Sequence, residues 1–340
     1  MPAETALHER AWMAWPSAAY TLGETAAQAE EAWTTWAAVA NAIAEFEPVS
    51  MLVTPAGVGE GQRRLSGGIE LHPDEIDDAW YRDSGPTFVL GADGELGAVN
   101  WVFNGWGQQS WARWEHDQYA SEVATAVSGA TRIASRLVNE GGGIHTDGAG
   151  TFLVTETVQL DGYRNPGWTK AQVEAELAET VGARSVIWLP RGLTRDSQTY
   201  GTRGHVDIVA TFAAPGQLLL HDQRDPQHPD HEFSAELHQL LADQRDADGR
   251  ALELISLPAP ATLRDSAGFL DYSYVNHFVV NGAVIACSFE DRRDAEAFEV
   301  LAAAYPGRTI VGVDARPLFA RGGGIHCITQ QQPATVEGVS

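Results

Sequence analysis

Two cysteines in 340 residues give no disulfide framework. Lysine is nearly absent: Lys170 stands alone, and 22 basic residues face 46 acidic ones for a formal net charge of −24. Phosphate backbones and anionic lipid surfaces are gripped by clustered basic residues, so neither nucleic acid nor a membrane is expected as a partner. No run of about 18 apolar residues is present that could span a bilayer. Met1 to Arg10 carries acidic residues and a histidine where a secretory signal needs a basic start and an apolar block. Cytoplasmic residence is the expectation that follows. No His/Cys/Asp set has zinc-like spacing, and neither a metal nor another cofactor is expected. The acidity has two readings: it keeps the protein soluble, or its field favours a cationic small substrate.

Glycine, in contrast, is plentiful, and it clusters where chemistry is expected. Ala320 to Pro333 reads Ala-Arg-Gly-Gly-Gly-Ile-His-Cys-Ile-Thr-Gln-Gln-Gln-Pro. Three glycines before Cys327 let backbone approach a ligand closely and leave the sulfur unobstructed, which suits a nucleophile. A small buried hydrophobe is the alternative for Cys327 at this point. Glu140 to Thr146, Glu-Gly-Gly-Gly-Ile-His-Thr, echoes Arg321 to Cys327. Such self-similarity points to duplicated units around an axis, with Glu140 and Cys327 both near it.

The order strand, strand, helix, strand recurs along the chain. Helices are expected over Thr25–Phe46, His116–Val127, Thr169–Thr180, Ser234–Asp243 and Asp294–Ala304 from apolar spacing. Strands are expected at Val49–Thr54, Thr151–Thr157, Ser185–Leu189, Glu253–Leu257 and Thr309–Val313, with a hairpin turn at Asn281-Gly282. Val336 to Ser340 reads as a frayed tail.

Several residues resist a purely structural reading. Trp80, Arg82 and Asp83 combine an aromatic face with a carboxylate, a mixture suited to gripping a flat or alkyl cation. His205 and Asp207, two apart, are expected on one face of a strand. His145 and His326 lie in the glycine turns with no partner nearby in sequence, and are read as structural. Cys287, in an apolar strand, is read as core.

Five blocks, taken in order, resemble one family. They are Asp78-x-Trp80-x-Arg82-Asp83-x-Gly85-Pro86, Phe103-Asn104-x-Trp106-Gly107, Glu140-Gly141-Gly142, Gly204-His205-Val206-Asp207 and Gly323-Gly324-Ile325-His326-Cys327-Ile328-Thr329-Gln330-Gln331. The family is that of agmatine deiminases and bacterial peptidyl-arginine deiminases, and the likeness runs from Trp12 to Pro333. It implies an α/β pentein fold, a propeller of five ββαβ-type units about a pseudo-fivefold axis in a single domain over residues 1–340. It also implies a guanidino substrate. Cys327 is then the nucleophile and His205 the general acid and base. Asp83 and Asp207 hold the guanidinium, while Glu140 orients His205 or the substrate. Trp80, Arg82, Trp106, Arg203 and Gly324 count as substrate-binding.

One departure bears on the substrate. Agmatine deiminases resemble Asp-Thr-Asp-Gly-His before the catalytic histidine, the first acid meeting the distal amine, whereas this chain has Gly201-Thr202-Arg203-Gly204-His205. Two readings stand. Arg203 pairs with a carboxylate on the substrate, or it faces solvent or Asp196 while Glu115 or Asp117 takes the amine. An amidinotransferase and a non-catalytic pentein binding protein remain alternatives to a deiminase. A homo-oligomer is an open expectation.

Overall fold

The computed structural model describes residues 1–335, so the tail expected at 336–340 lies outside the described residues. Five sheets repeat one pattern: an antiparallel pair of strands, then a helix, then a third strand parallel to the second. Thr87–Leu90 and Leu96–Val102 pair antiparallel (Thr87 opposite Val99), and Thr131–Val138 adds in parallel after the helix Ala120–Ser128. Ile144–Thr146, Thr151–Thr155 and Ser185–Leu189 do the same around Lys170–Val181. Ala210–Ala214, Gln217–Asp222 and Glu253–Pro258 follow around His231–Ala242. Phe278–Val280, Ala283–Ser288 and Thr309–Asp314 follow around Asp294–Ala304. The remaining sheet joins the two ends of the chain. Thr329–Pro333 pairs antiparallel with His8–Ala14, and Val49–Val53 and Glu70–Pro73 extend it in parallel.

Local chemistry explains the helices. Thr25 and Gln28 form a capping box ahead of Ala26–Ala44, which buries Trp36, Val39, Ala40 and Ile43 at helical spacing. Thr169 and Gln172 do the same for Lys170–Val181, which ends at left-handed Gly182. No helix among the described residues is long and apolar enough to cross a membrane.

A tight turn precedes the first strand of each of these five sheets. These turns are Tyr81–Ser84, Gly141–Gly143, Val206–Ile208, the bend at Tyr274 to Asn276, and His326–Ile328. They hold Asp83, Gly142, Asp207, Asn276 and Cys327, and several of them touch one another. His205 and Asp207 therefore do not share a strand face, because the strand starts only at Ala210. Gly204 takes φ +115°, and Asp196 accepts hydrogen bonds from the amides of Thr202, Gly204 and His205, which hold this backbone out of a ladder.

Candidate active site

Cys327 sits in the His326–Ile328 turn and is 4% exposed. The Asn276 side-chain amide donates to its sulfur at 3.3 Å, and the thiol lies 3.5 Å from Asp207 Oδ2. Burial, with the Asp207 and Asp83 carboxylates adding to it, holds this thiol well above its usual pKa. Cys287 is the other thiol and is fully buried, as expected for core. It donates to the Asn276 carbonyl and so braces the residue that contacts Cys327.

Three functional groups close around one glycine. A methyl group on Gly142 would lie 2.5 Å from His205 Nδ1 and 3.0 Å from both Asp83 Oδ1 and Asp207 Oδ2. Among the described residues His205 Nδ1 has no hydrogen-bond partner, nor does Asp207 Oδ1, although both are buried. Buried polar atoms without a protein partner are available to hydrogen-bond a ligand. Asp83 accepts from the indole of Trp106 at 2.8 Å and from the Gly142 amide at 3.2 Å.

Glu140 fixes His205 from behind, Oε2 lying 3.1 Å from Nε2, while Arg164 binds the same carboxylate through Nε at 3.0 Å. Burial would raise the Glu140 pKa, but Arg164 and His205 outweigh it and hold it at about 2. Burial opposes a charge on His205 too, yet Asp83, Glu140 and Asp207 raise it to about 9. Asp83 is pushed up to about 6 by burial, with Glu140 and Asp207 adding and His205 opposing. The raised value favours the protonated imidazole at neutral pH.

Below this floor lies Glu4, which sequence reasoning passed over. Its Oε1 is 2.8 Å from His326 Nε2 and 3.7 Å from His145 Nε2, and His326 Nδ1 reaches Asp207 Oδ2 at 2.8 Å. His145 and His326 have partners after all, supplied by distant chain. The Phe212 amide donates to His145 Nδ1, so the proton of a neutral His145 sits on Nε2. Glu4, His145 and His326 bring ligand atoms within 4.8 Å of one another, as a metal site would. Arg82 Nη1 stands 3.5 Å from the same Glu4 oxygen, however, and a guanidinium there already supplies the positive charge.

Trp80, Asp83, Trp106 and Cys327 line one narrow cleft, together with Trp111 and Tyr200, two rings the sequence did not single out. It opens into an outer cleft of about 680 Å³. Of three further residues expected to bind substrate, Arg82 and Arg203 lie elsewhere, while Gly324 turns its backbone amide to the Cys327 sulfur. Arg82 is buried beneath the floor, donating to the His326 carbonyl and to Gln331. Arg203 pairs with Asp161 at 2.6 Å and stacks on Tyr163, and it meets neither the cleft nor Asp196 through its side chain. Gly324 packs against Asn276 and Phe319, where an added methyl would fall 2.4 Å from Asn276 Oδ1. Asp117 is buried and accepts the amides of Asp77 and Asp78, while Glu115 contacts the Trp114 amide, so neither reaches the cleft.

Comparison with known proteins decides the family. The sequence pattern of the Porphyromonas-type peptidyl-arginine deiminases matches residues 1–333. The chain belongs to that family. It is 52% identical over 338 residues to a Streptomyces coelicolor protein carrying the name "Putative agmatine deiminase", covering 98% of this chain and 99% of the relative. An agmatine deiminase of Pseudomonas fluorescens is 40% identical, with 98% of this chain and 95% of the relative covered. Among family members with solved structures, an agmatine deiminase of Enterococcus faecalis superposes with a TM-score of 0.91 at 32% identity, covering 99% of this chain and 96% of that one. The more distant dimethylarginine dimethylaminohydrolase, 15% identical, shares the α/β fold at a TM-score of 0.51, with 96% of this chain and 100% of that one covered.

Proposed function

We propose that this chain is a guanidine deiminase that converts agmatine to N-carbamoylputrescine and ammonia. The observation that carries the reading is the meeting of an unpartnered imidazole nitrogen and two carboxylates around Gly142, with the Cys327 thiol 3.5 Å from one of those carboxylates. A guanidinium is a planar, charged fork, and Asp83 and Asp207 can bind its nitrogens and hold its central carbon against the Cys327 sulfur. Its charge offsets the two carboxylates that raise the thiol pKa, so substrate binding itself favours the thiolate, whose proton passes to water.

The thiolate adds to the guanidinium carbon, and His205, already protonated, gives its proton to the departing nitrogen, which leaves as ammonia. An amidino-thioether remains on Cys327. Water then gives a proton to His205 and adds to the same carbon. The carbon–sulfur bond breaks, the ureido product leaves and the thiol is restored. Glu140 keeps the imidazole ring aimed through both steps. Trp80, Trp106 and Trp111 flank the alkyl chain.

The placement of Arg203 against Asp161 favours agmatine over a carboxylate-bearing guanidine. On the same reading the five sheets stand as blades about a pseudo-fivefold axis in one domain, and the enzyme works in the cytoplasm without a cofactor. Ammonia release is compared across agmatine, arginine and a guanidino acid, with glycine or ornithine added to reveal amidino transfer. Agmatine is expected to lead and the added amines to change nothing. Preference for arginine, or an amidinated acceptor, contradicts the proposal.

A further inference from the structure

One buried carboxylate near the cleft has no partner in the account above. Asp271 is 8% exposed, and among the described residues no other group donates a hydrogen bond to it; the N–H against it is its own. It lines a small cavity with Tyr20, Tyr200, Gly201 and Gly322, and the last three also line the cleft onto Cys327, so the two spaces adjoin. Arg195 borders the same cavity, but it is held by Asp265 at 2.9 Å and by the Phe269 carbonyl. Asp271 is therefore the charge left over.

Position 201 cannot itself carry an acid, since a Cβ there would fall 2.0 Å from the Asp196 carbonyl oxygen. We infer that Asp271 receives the cationic far end of the substrate, so that an amine-terminated alkylguanidine is held by Asp83 and Asp207 at one end and Asp271 at the other. The assignment rests on the deiminase reading. Tyr20 and Tyr200, stacked with ring centroids 4.3 Å apart, border both the cavity and the outer cleft and present aromatic surface to an ammonium. Burial, with Asp196 and Asp230 adding and Arg195 opposing, pushes the Asp271 carboxyl to about 7. An arriving cation would favour its charged form.

The test compares agmatine with n-butylguanidine, which keeps the four-carbon chain and lacks the amine, in the native enzyme and in Asp271→Asn and Asp271→Glu. The native enzyme is expected to show a lower KM for agmatine. Asp271→Asn should raise the agmatine KM about 10- to 100-fold, the effect of losing a charge-assisted hydrogen bond. Its kcat, and both constants for butylguanidine, should stay within about twofold, which also certifies the fold. Asp271→Glu should restore part of the loss. An agmatine KM unmoved in Asp271→Asn, equal native KM values for the two compounds, or a parallel loss on both overturns the assignment. A native enzyme that hydrolyses neither compound overturns the deiminase reading, and the assignment falls with it.

Discussion

The two Gly-Gly-Gly-Ile-His turns have the same five residues and do different work. In the first, Gly141–Gly143 forms the turn and Ile144 and His145 enter a strand. In the second, Gly322 takes φ +109° and the turn is delayed to His326–Ile328. The flanks differ: Glu140 opens the first turn and contacts His205, and Cys327 closes the second. Arg321, in the place of Glu140, braces structure by donating to Thr21, Gln28, Pro317 and Glu31. What the turns keep in common is close backbone approach and a histidine aimed at Glu4. On the proposed mechanism, repetition marks where the site is, while its reactive groups lie where the repeat breaks.

Substitutions can break this comparison turn by turn. Cys327→Ser should lower kcat by at least about 10⁴-fold while guanidine binding survives, whereas Thr146→Ser, the matching position, should leave kcat within about threefold. Steady-state kinetics with calorimetric binding reads both. Gly142→Ala should lower kcat/KM by roughly 10²- to 10³-fold, because its methyl would push against His205 Nδ1 and both clamp carboxylates. Gly323→Ala should act through Trp80 and the Cys327 sulfur, each within 3.0 Å of the added methyl.

Glu4→Gln tests the anion shared by both histidines. Leaving Arg82 and His326 buried without it should cost about 3–5 kcal/mol of stability by denaturant unfolding. His145→Asn should cost less, since its Nε2 is 3.7 Å from Glu4 rather than 2.8 Å.

A pH series separates the charged flank from the glycines. The folded-state pKa of His205 is raised from 6.5 to about 9, so its contribution to stability is complete below about pH 6.5 and is lost as pH rises through 9. Glu140 is depressed from 4.5 to about 2, so its contribution is present above about pH 4.5 and is lost as pH falls toward 2. Unfolding midpoints between pH 6.5 and 9 should fall in the native protein and flatten in His205→Asn. Arg203→Ala should have the smallest effect, below about threefold in KM for agmatine, because its ion pair with Asp161 lies outside the cleft.

Much of the site was legible because its residues carry their chemistry locally. Cys327, Asp83 and the His205 to Asp207 segment sit beside glycines or in dense polar runs that make poor core, and the helix at Asp294–Ala304 matched its apolar spacing. Glu4 was not legible. It lies in the first turn of the chain, and its importance arises only when the terminal strands pair and bring it beneath His326. Arg82 and Arg203 misled for the converse reason, since a cation beside a functional motif is as well spent on a buried carbonyl or a neighbouring aspartate. The strand expected through His205 failed because Asp196, nine residues upstream, captures the amides a ladder would need.

The most direct test of the central claim is rapid quenching of the enzyme with agmatine, followed by mass spectrometry of the peptide carrying Cys327. A transient increment on that peptide equal to the substrate less ammonia is predicted, absent in Cys327→Ser and accumulating in variants of His205. Ammonia release with no covalent species on Cys327 at any time, or an adduct on Cys287 instead, would contradict it.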